Sequence, residues 1–113
     1  MHELALAESV LALVEEAARR HGAVNVNAIR LEIGALSSVQ SDALRFCFDA
    51  VTRGSIAESA RLDILTTPGE AWCMPCGERV PLAALGDSCP VCGSYQLQVT
   101  GGDAMRVRDI EIA

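Results

Sequence analysis

Two segments of this chain carry the side chains best able to do chemistry: a pair of C-x-x-C motifs in the C-terminal half, and a histidine at position two. The motifs are Cys73-Met74-Pro75-Cys76-Gly77 and Ser88-Cys89-Pro90-Val91-Cys92-Gly93, with residues 77–88 between them. Two residues between thiolates let one tight turn present both sulfurs about 2.3 Å from a shared metal ion. Pro75 and Pro90 pre-shape those turns, and Gly77 and Gly93 supply the positive φ that the chain needs just after the second ligand. The spacer lets the second knuckle fold back and complete a tetrahedron, although it is shorter than the roughly 15 to 20 residues of one common four-cysteine pattern. The expectation is one structural Zn(II) held by Cys73, Cys76, Cys89 and Cys92, with every position filled and no room for a catalytic water. Paired disulfides and a thioredoxin-like redox motif are weaker readings, the latter because neither knuckle opens a helix in a βαβ unit. Iron in a rubredoxin-type site shares the tetrahedral sulfur chemistry and stays open.

His2 permits a second and different metal chemistry. The terminal amine of Met1, the His2 amide nitrogen and the His2 imidazole can close adjacent chelate rings on one ion. The Glu3 amide or carboxylate can serve as a fourth donor. Nitrogen-rich, square-planar geometry of this kind suits Ni(II) or Cu(II) far better than zinc or magnesium. His21 lies near a helix end, where a cationic side chain favours the dipole, and reads as structural. Cys47, the fifth cysteine, falls on the apolar stripe of a helix and reads as a buried, inert thiol.

Composition narrows the remaining classes. The chain has 113 residues, half of them hydrophobic but only 4% aromatic, so its core must be built from Leu, Ile, Val and Ala. The net charge is −6, with nine Arg and no Lys, which leaves no basic stripe for nucleic acid and argues against an anionic membrane surface. No apolar run approaches the ~20 residues of a membrane span. The acidic start Met1-His2-Glu3 is unlike a secretion leader, so a cytoplasmic protein is expected, in which thiols stay reduced.

The elements that must position these groups can be read from hydrophobic periodicity. Residues 4–20 form a helix with Leu4, Ala7, Val10, Leu11 and Val14 on its apolar stripe, no N-cap side chain, and Gly22 as a stop. A strand runs from Val24 to Ile33, with Ile29, Leu31 and Ile33 on one face and Arg30 and Glu32 on the other. A second helix spans Ser41 to Arg53, its stripe formed by Leu44, Cys47, Phe48 and Val51, closed by Gly54. Strands follow at Arg61–Thr66, Tyr95–Val99 and Met105–Ile112, the last with a slip in alternation at Asp109. The cysteine module lies between the second and third strands. The fold class is therefore α+β: a small mixed layer of two helices on a three-stranded sheet, with an inserted four-cysteine zinc ribbon.

With these residues in place the chain resembles the hydrogenase nickel-insertion accessory proteins of the HypA/HybF family. The resemblance rests on Met1-His2-Glu3-Leu4-Ala5, Leu31-Glu32-Ile33-Gly34, Leu44-Arg45-Phe46-Cys47-Phe48, Ala60-Arg61-Leu62-Asp63-Ile64 and the two knuckles, in the family's order. It covers essentially the whole chain. It implies a discontinuous nickel-binding α/β domain, 1–68 with 95–113, around a zinc ribbon at 69–94. It implies His2 as the essential nickel ligand with support from Met1 and Glu3. It also implies two partners, the nickel-pathway GTPase and the large subunit of [NiFe] hydrogenase; some members serve urease as well. Ser41-Asp42 replaces the Pro-Glu or Pro-Asp that often opens the second helix, but Ser41 can still cap. Met74, Pro75, Pro90 and Val91 offer no histidine beside the cysteines, so a zinc site that exchanges cysteine for histidine with pH is not expected.

The leading expectation is a nickel metallochaperone, not an enzyme, carrying Ni(II) as cargo and Zn(II) as a structural ion. A zinc-ribbon module that binds protein or nucleic acid without nickel is the alternative, and a rubredoxin-like electron carrier a third. No G-x-S-x-G or metal-hydrolase histidine motif supports a hydrolase. An inserted module that interrupts a sheet is compatible with strand exchange, so a homodimer remains open.

Overall fold

The computed structural model describes residues 2–113. Two helices, α1 (Glu3–Arg20) and α2 (Ser41–Val51), accompany six strands: β1 (Val26–Gly34), β2 (Arg61–Thr67), β3 (Glu70–Cys73), β4 (Glu78–Pro81), β5 (Leu97–Gly101) and β6 (Met105–Ile112). The strands form two three-stranded sheets, ordered β2-β1-β6 and β4-β3-β5. The chain divides into two compact units: residues up to Leu31 with Val39–Ile64 and Val107–Ala113, and Glu32–Ser38 with Leu65–Arg106.

In the first unit α1 packs against α2. The buried stripe of α1 is Glu3, Ala7, Val10, Val14 and Ala18, at three- and four-residue steps. This stripe is rotated from the expected one. Leu4 is 53% exposed and Leu11 only half-buried, because the helix turns Glu3 inward and places both leucines on its flank. Leu44 and Phe48 anchor α2, and Ala28, Ile29, Leu31 and Leu62 complete this core. Cys47 is half-buried, at the flank of the α2 stripe rather than within the core as expected. Burial in β1 runs through both Ala28 and Ile29, so its alternation changes phase there before Ile29 and Leu31 settle on the core face. The same kind of slip appears in β6, where Arg108 and Asp109 are exposed in succession, as the sequence pattern indicated.

The second unit is built around β3, which pairs antiparallel with both neighbours. Ala71 stands opposite Val80 and Val99, so its inward position meets apolar residues on both sides, while Cys73 stands opposite Leu97 on β5 and the exposed Glu78 on β4. Leu36, Ala71, Cys73, Val80, Leu82 and Cys89 form the buried cluster. Trp72 takes the outward phase between Arg79 and Gln98. β3 and β4 were not expected from the sequence, and the expected strand near residues 95–99 joins them through β3.

Backbones approach closely in this unit. A Cβ on Gly34 would lie 2.1 Å from the Gly102 carbonyl oxygen, and one on Gly69 would lie 2.3 Å from the Leu82 oxygen. Hydrogen bonds from Leu36 N–H to Gly102 O (2.8 Å) and from Leu82 N–H to Gly69 O (3.0 Å) lock the same junctions.

Candidate metal centre

Each knuckle is positioned by a strand or by the turn that closes on it. Cys73 is the last residue of β3 and lies in its inward phase, so its sulfur is carried to the buried side. The chain then turns so that Gly77 N–H donates to Cys73 O at 2.8 Å, with Gly77 at φ +67°. The second knuckle repeats the device: Gly93 N–H donates to Cys89 O at 2.8 Å, with Gly93 at φ +78°. A left-handed residue at this point strains any side chain, which is why glycine follows the second cysteine in both motifs. Cys89 N–H donates to Ser94 O at 2.8 Å and closes the second turn.

The four sulfurs converge. Sγ of Cys73, Cys76, Cys89 and Cys92 all lie within 4.8 Å of one another. Cys73 and Cys92 are 3.5 Å apart and Cys76 and Cys89 3.9 Å. A tetrahedron with metal–sulfur bonds of about 2.3 Å has edges of about 3.8 Å, so these separations fit one ion shared by four thiolates. They are far longer than the ~2.05 Å of a disulfide. The cluster is thus suited to a structural zinc ion, which would draw both knuckles together through a closed coordination sphere. Cys73 and Cys89 are buried, Cys76 half-buried and Cys92 exposed.

The thiols differ in readiness to ionise. N–H groups of Cys92 (3.5 Å) and Val91 (3.4 Å) point at Cys89 Sγ, and these amides hold its pKa down to about 7. Burial pushes the Cys73 thiol up. Cys76 is raised strongly, chiefly by its hydrogen bonds to Cys92 and Cys73. A divalent cation reverses the penalty of gathering four thiolates in one place.

The N-terminal candidates lie in the first unit. His2 is exposed and occupies the N-cap of α1, and its side chain makes no capping hydrogen bond. The first hydrogen bond of the helix runs from Leu6 N–H to His2 O at 3.0 Å. Glu3, by contrast, is 6% exposed, and its Oε2 accepts a hydrogen bond from Gln40 N–H at 3.1 Å. Gln40, and not the expected Ser41, is the N-cap of α2 and makes no side-chain capping bond, so this carboxylate ties the start of one helix to the start of the other. That brace was not read from the sequence, because its partners are 37 positions apart and one of them is a backbone amide. Met1, expected to contribute its amine, lies outside the described residues. His21 is exposed at the C-cap of α1, beyond Arg19 and Arg20, both of which pair with Glu16.

Comparison with known proteins meets this geometry from the other side. Residues 1–112 match the family described as hydrogenase/urease nickel incorporation, metallochaperone, hypA. The chain is 57% identical over 112 residues to the hydrogenase maturation factor HypA of Albidiferax ferrireducens, covering 99% of each chain. It is equally identical, with the same coverage, to that of Dechloromonas aromatica. The solution structure of the nickel metallochaperone HypA from Helicobacter pylori superposes with a TM-score of 0.74 at 28% identity, over 99% of this chain and 97% of that one. Whole-length sequence agreement and a shared fold, together with four converging thiols, place this chain in the HypA family of nickel-incorporation metallochaperones.

Proposed function

We propose that the chain binds Ni(II) at its amino terminus through His2 and helps deliver it into the large subunit of [NiFe] hydrogenase. The observation that carries this reading is the contrast between two adjacent residues. Glu3 is buried and committed to Gln40, whereas His2 is exposed with no capping bond. The imidazole and the His2 amide, with Met1 and the Glu3 backbone nitrogen in support, supply the nitrogen-rich donor set that favours nickel over zinc. A chain-end site suits a metal in transit, because an enclosed site would hold it too long. Cys73, Cys76, Cys89 and Cys92 keep a structural zinc and stabilise the ribbon.

In this reading residues 1–68 with 95–113 do the nickel work and 69–94 form the zinc module. The partners are the nickel-pathway GTPase and the hydrogenase large subunit, in the cytoplasm, and the chain performs no catalysis of its own. No described helix is long and apolar enough to cross a membrane.

The test is hydrogenase maturation in cells whose only copy is His2→Ala. The expected result is loss of hydrogenase activity at limiting nickel and recovery when the medium is supplemented with nickel. Full activity of the variant at limiting nickel would sink the proposal.

A further inference from the structure

The strand β6 stands at one edge of its sheet, with β1 on one side and no strand of the described residues on the other. Alternate main-chain N–H and C=O groups of an edge strand face outward and offer a ladder to a further strand. The apolar residues of β6 are only partly covered. Met105, Val107, Ile110 and Ile112 are half-buried, whereas Ile29, Leu31 and Ile33 of the neighbouring β1 are buried. The strand also has no proline and no lysine, two common ways of blunting an edge.

The order of residues along β6 adds a symmetry. Its phase slip leaves Arg106, Arg108, Asp109 and Glu111 exposed, with the four apolar residues in the other phase. Arg30 bonds Asp109 at 2.6 Å and Arg106 bonds Glu32 at 2.7 Å, which keeps these side chains on the outward face. From the point between Arg108 and Asp109 the two faces alternate identically in both directions, basic in one half and acidic in the other. An antiparallel copy centred there sets Arg108 opposite Asp109, Val107 opposite Ile110, Arg106 opposite Glu111 and Met105 opposite Ile112. A shift of one or two residues either opposes like charges or sets an apolar residue against a charged one. The four charges sum to zero on a chain of net charge −6, so two acidic copies meet here without net repulsion.

We propose that β6 pairs antiparallel with β6 of a second copy about a two-fold axis between Arg108 and Asp109, joining two three-stranded sheets edge to edge. Main-chain hydrogen bonds supply the affinity and the cross-strand charges fix the register. The pattern selects the occupant, because the complement of this strand is the strand itself, slip included. A single strand pair is small against the roughly 1,200–2,000 Å² of a stable interface, so the dimer forms only as concentration rises. The inference does not depend on the nickel reading.

The experiment is sedimentation velocity of the zinc-loaded full chain from micromolar to near-millimolar concentration. Wild type is compared with Arg108→Asp, with Asp109→Arg, and with an equimolar mixture of the two variants. Either variant alone opposes like charges across the axis, whereas the mixture restores opposite ones. Wild type is expected to dimerise, each variant alone to weaken the dimer by about tenfold or more, and the mixture to recover it. Zinc content and circular dichroism of each variant are measured in parallel. Because Asp109 also bonds Arg30, a second readout uses wild type alone: hydrogen exchange of the amides of residues 105–112 is expected to slow as concentration rises. A wild type that stays monomeric throughout overturns the proposal. So does a dimer undiminished in Arg108→Asp, which would place self-association on another surface. Two folded variants that fail to dimerise on mixing overturn it as well, as does β6 exchange that is independent of concentration.

Discussion

A thiol that opens a short turn and a thiol at the end of a strand differ in acidity before any ion draws them together. Cys89 receives two amide donors and ionises near 7, while Cys73 and Cys76 are held protonated by burial and by sharing protons with their neighbours. Zinc must displace whatever protons remain. Above pH 7 Cys89 is already mostly thiolate, so fewer than four protons should leave for each zinc bound. As pH falls through about 7 Cys89 takes up its proton, and proton release per zinc should rise by up to one. Titration calorimetry of the metal-free protein at pH 8 and pH 6, in buffers of different ionisation enthalpy, measures this directly. A release that stays constant between the two would show that the amide donors do not tune Cys89. The ligands themselves were legible in the sequence because their information is local: two residues between sulfurs and a glycine after each pair. The Glu3–Gln40 brace was not, because a buried carboxylate that meets a backbone amide leaves no motif.

Elements were legible in proportion to their length. α1 and α2 are long enough for a period of 3.6 to stand out, and the misplacements were small: the α1 stripe was rotated, since Leu4 is more hydrophobic than the Glu3 that is turned inward, and Cys47 lies at the flank of α2. β3 and β4 have four residues each and too few inward positions for alternation to show. β5 showed its alternation but not its partner, because pairing is decided by register against β3. The glycine junction is likewise a property of assembled elements. Gly34→Ala should cost about 3 kcal/mol, since its Cβ would lie 2.1 Å from backbone oxygen and neither side can yield without breaking the Leu36–Gly102 hydrogen bond. Gly22→Ala meets nothing within 4 Å and should cost only about 1–2 kcal/mol for its positive φ. Urea denaturation of the two variants distinguishes them, and equal losses would contradict the close backbone approach.

On the proposed reading, the whole molecule separates two metals by donor chemistry. Soft sulfur donors are gathered in one compact unit. Nitrogen donors stand at an exposed helix start in the other, with His2 as the residue to watch. The charged faces add little to stability. Pairs such as Arg30–Asp109 (2.6 Å) and Arg106–Glu32 (2.7 Å) lie at the surface, where solvent screens them. They keep the sheet surface soluble, and the net charge of −6 leaves the chain suited to cations and basic surfaces. The central claim is that the nickel site is built on His2 and is independent of the four thiols. Its most direct test is the metal content of untagged protein after nickel loading and gel filtration, for wild type and His2→Ala side by side. The account predicts zinc retained by both proteins and nickel retained only by wild type. Nickel bound equally by both, or zinc lost together with nickel in the variant, would contradict it.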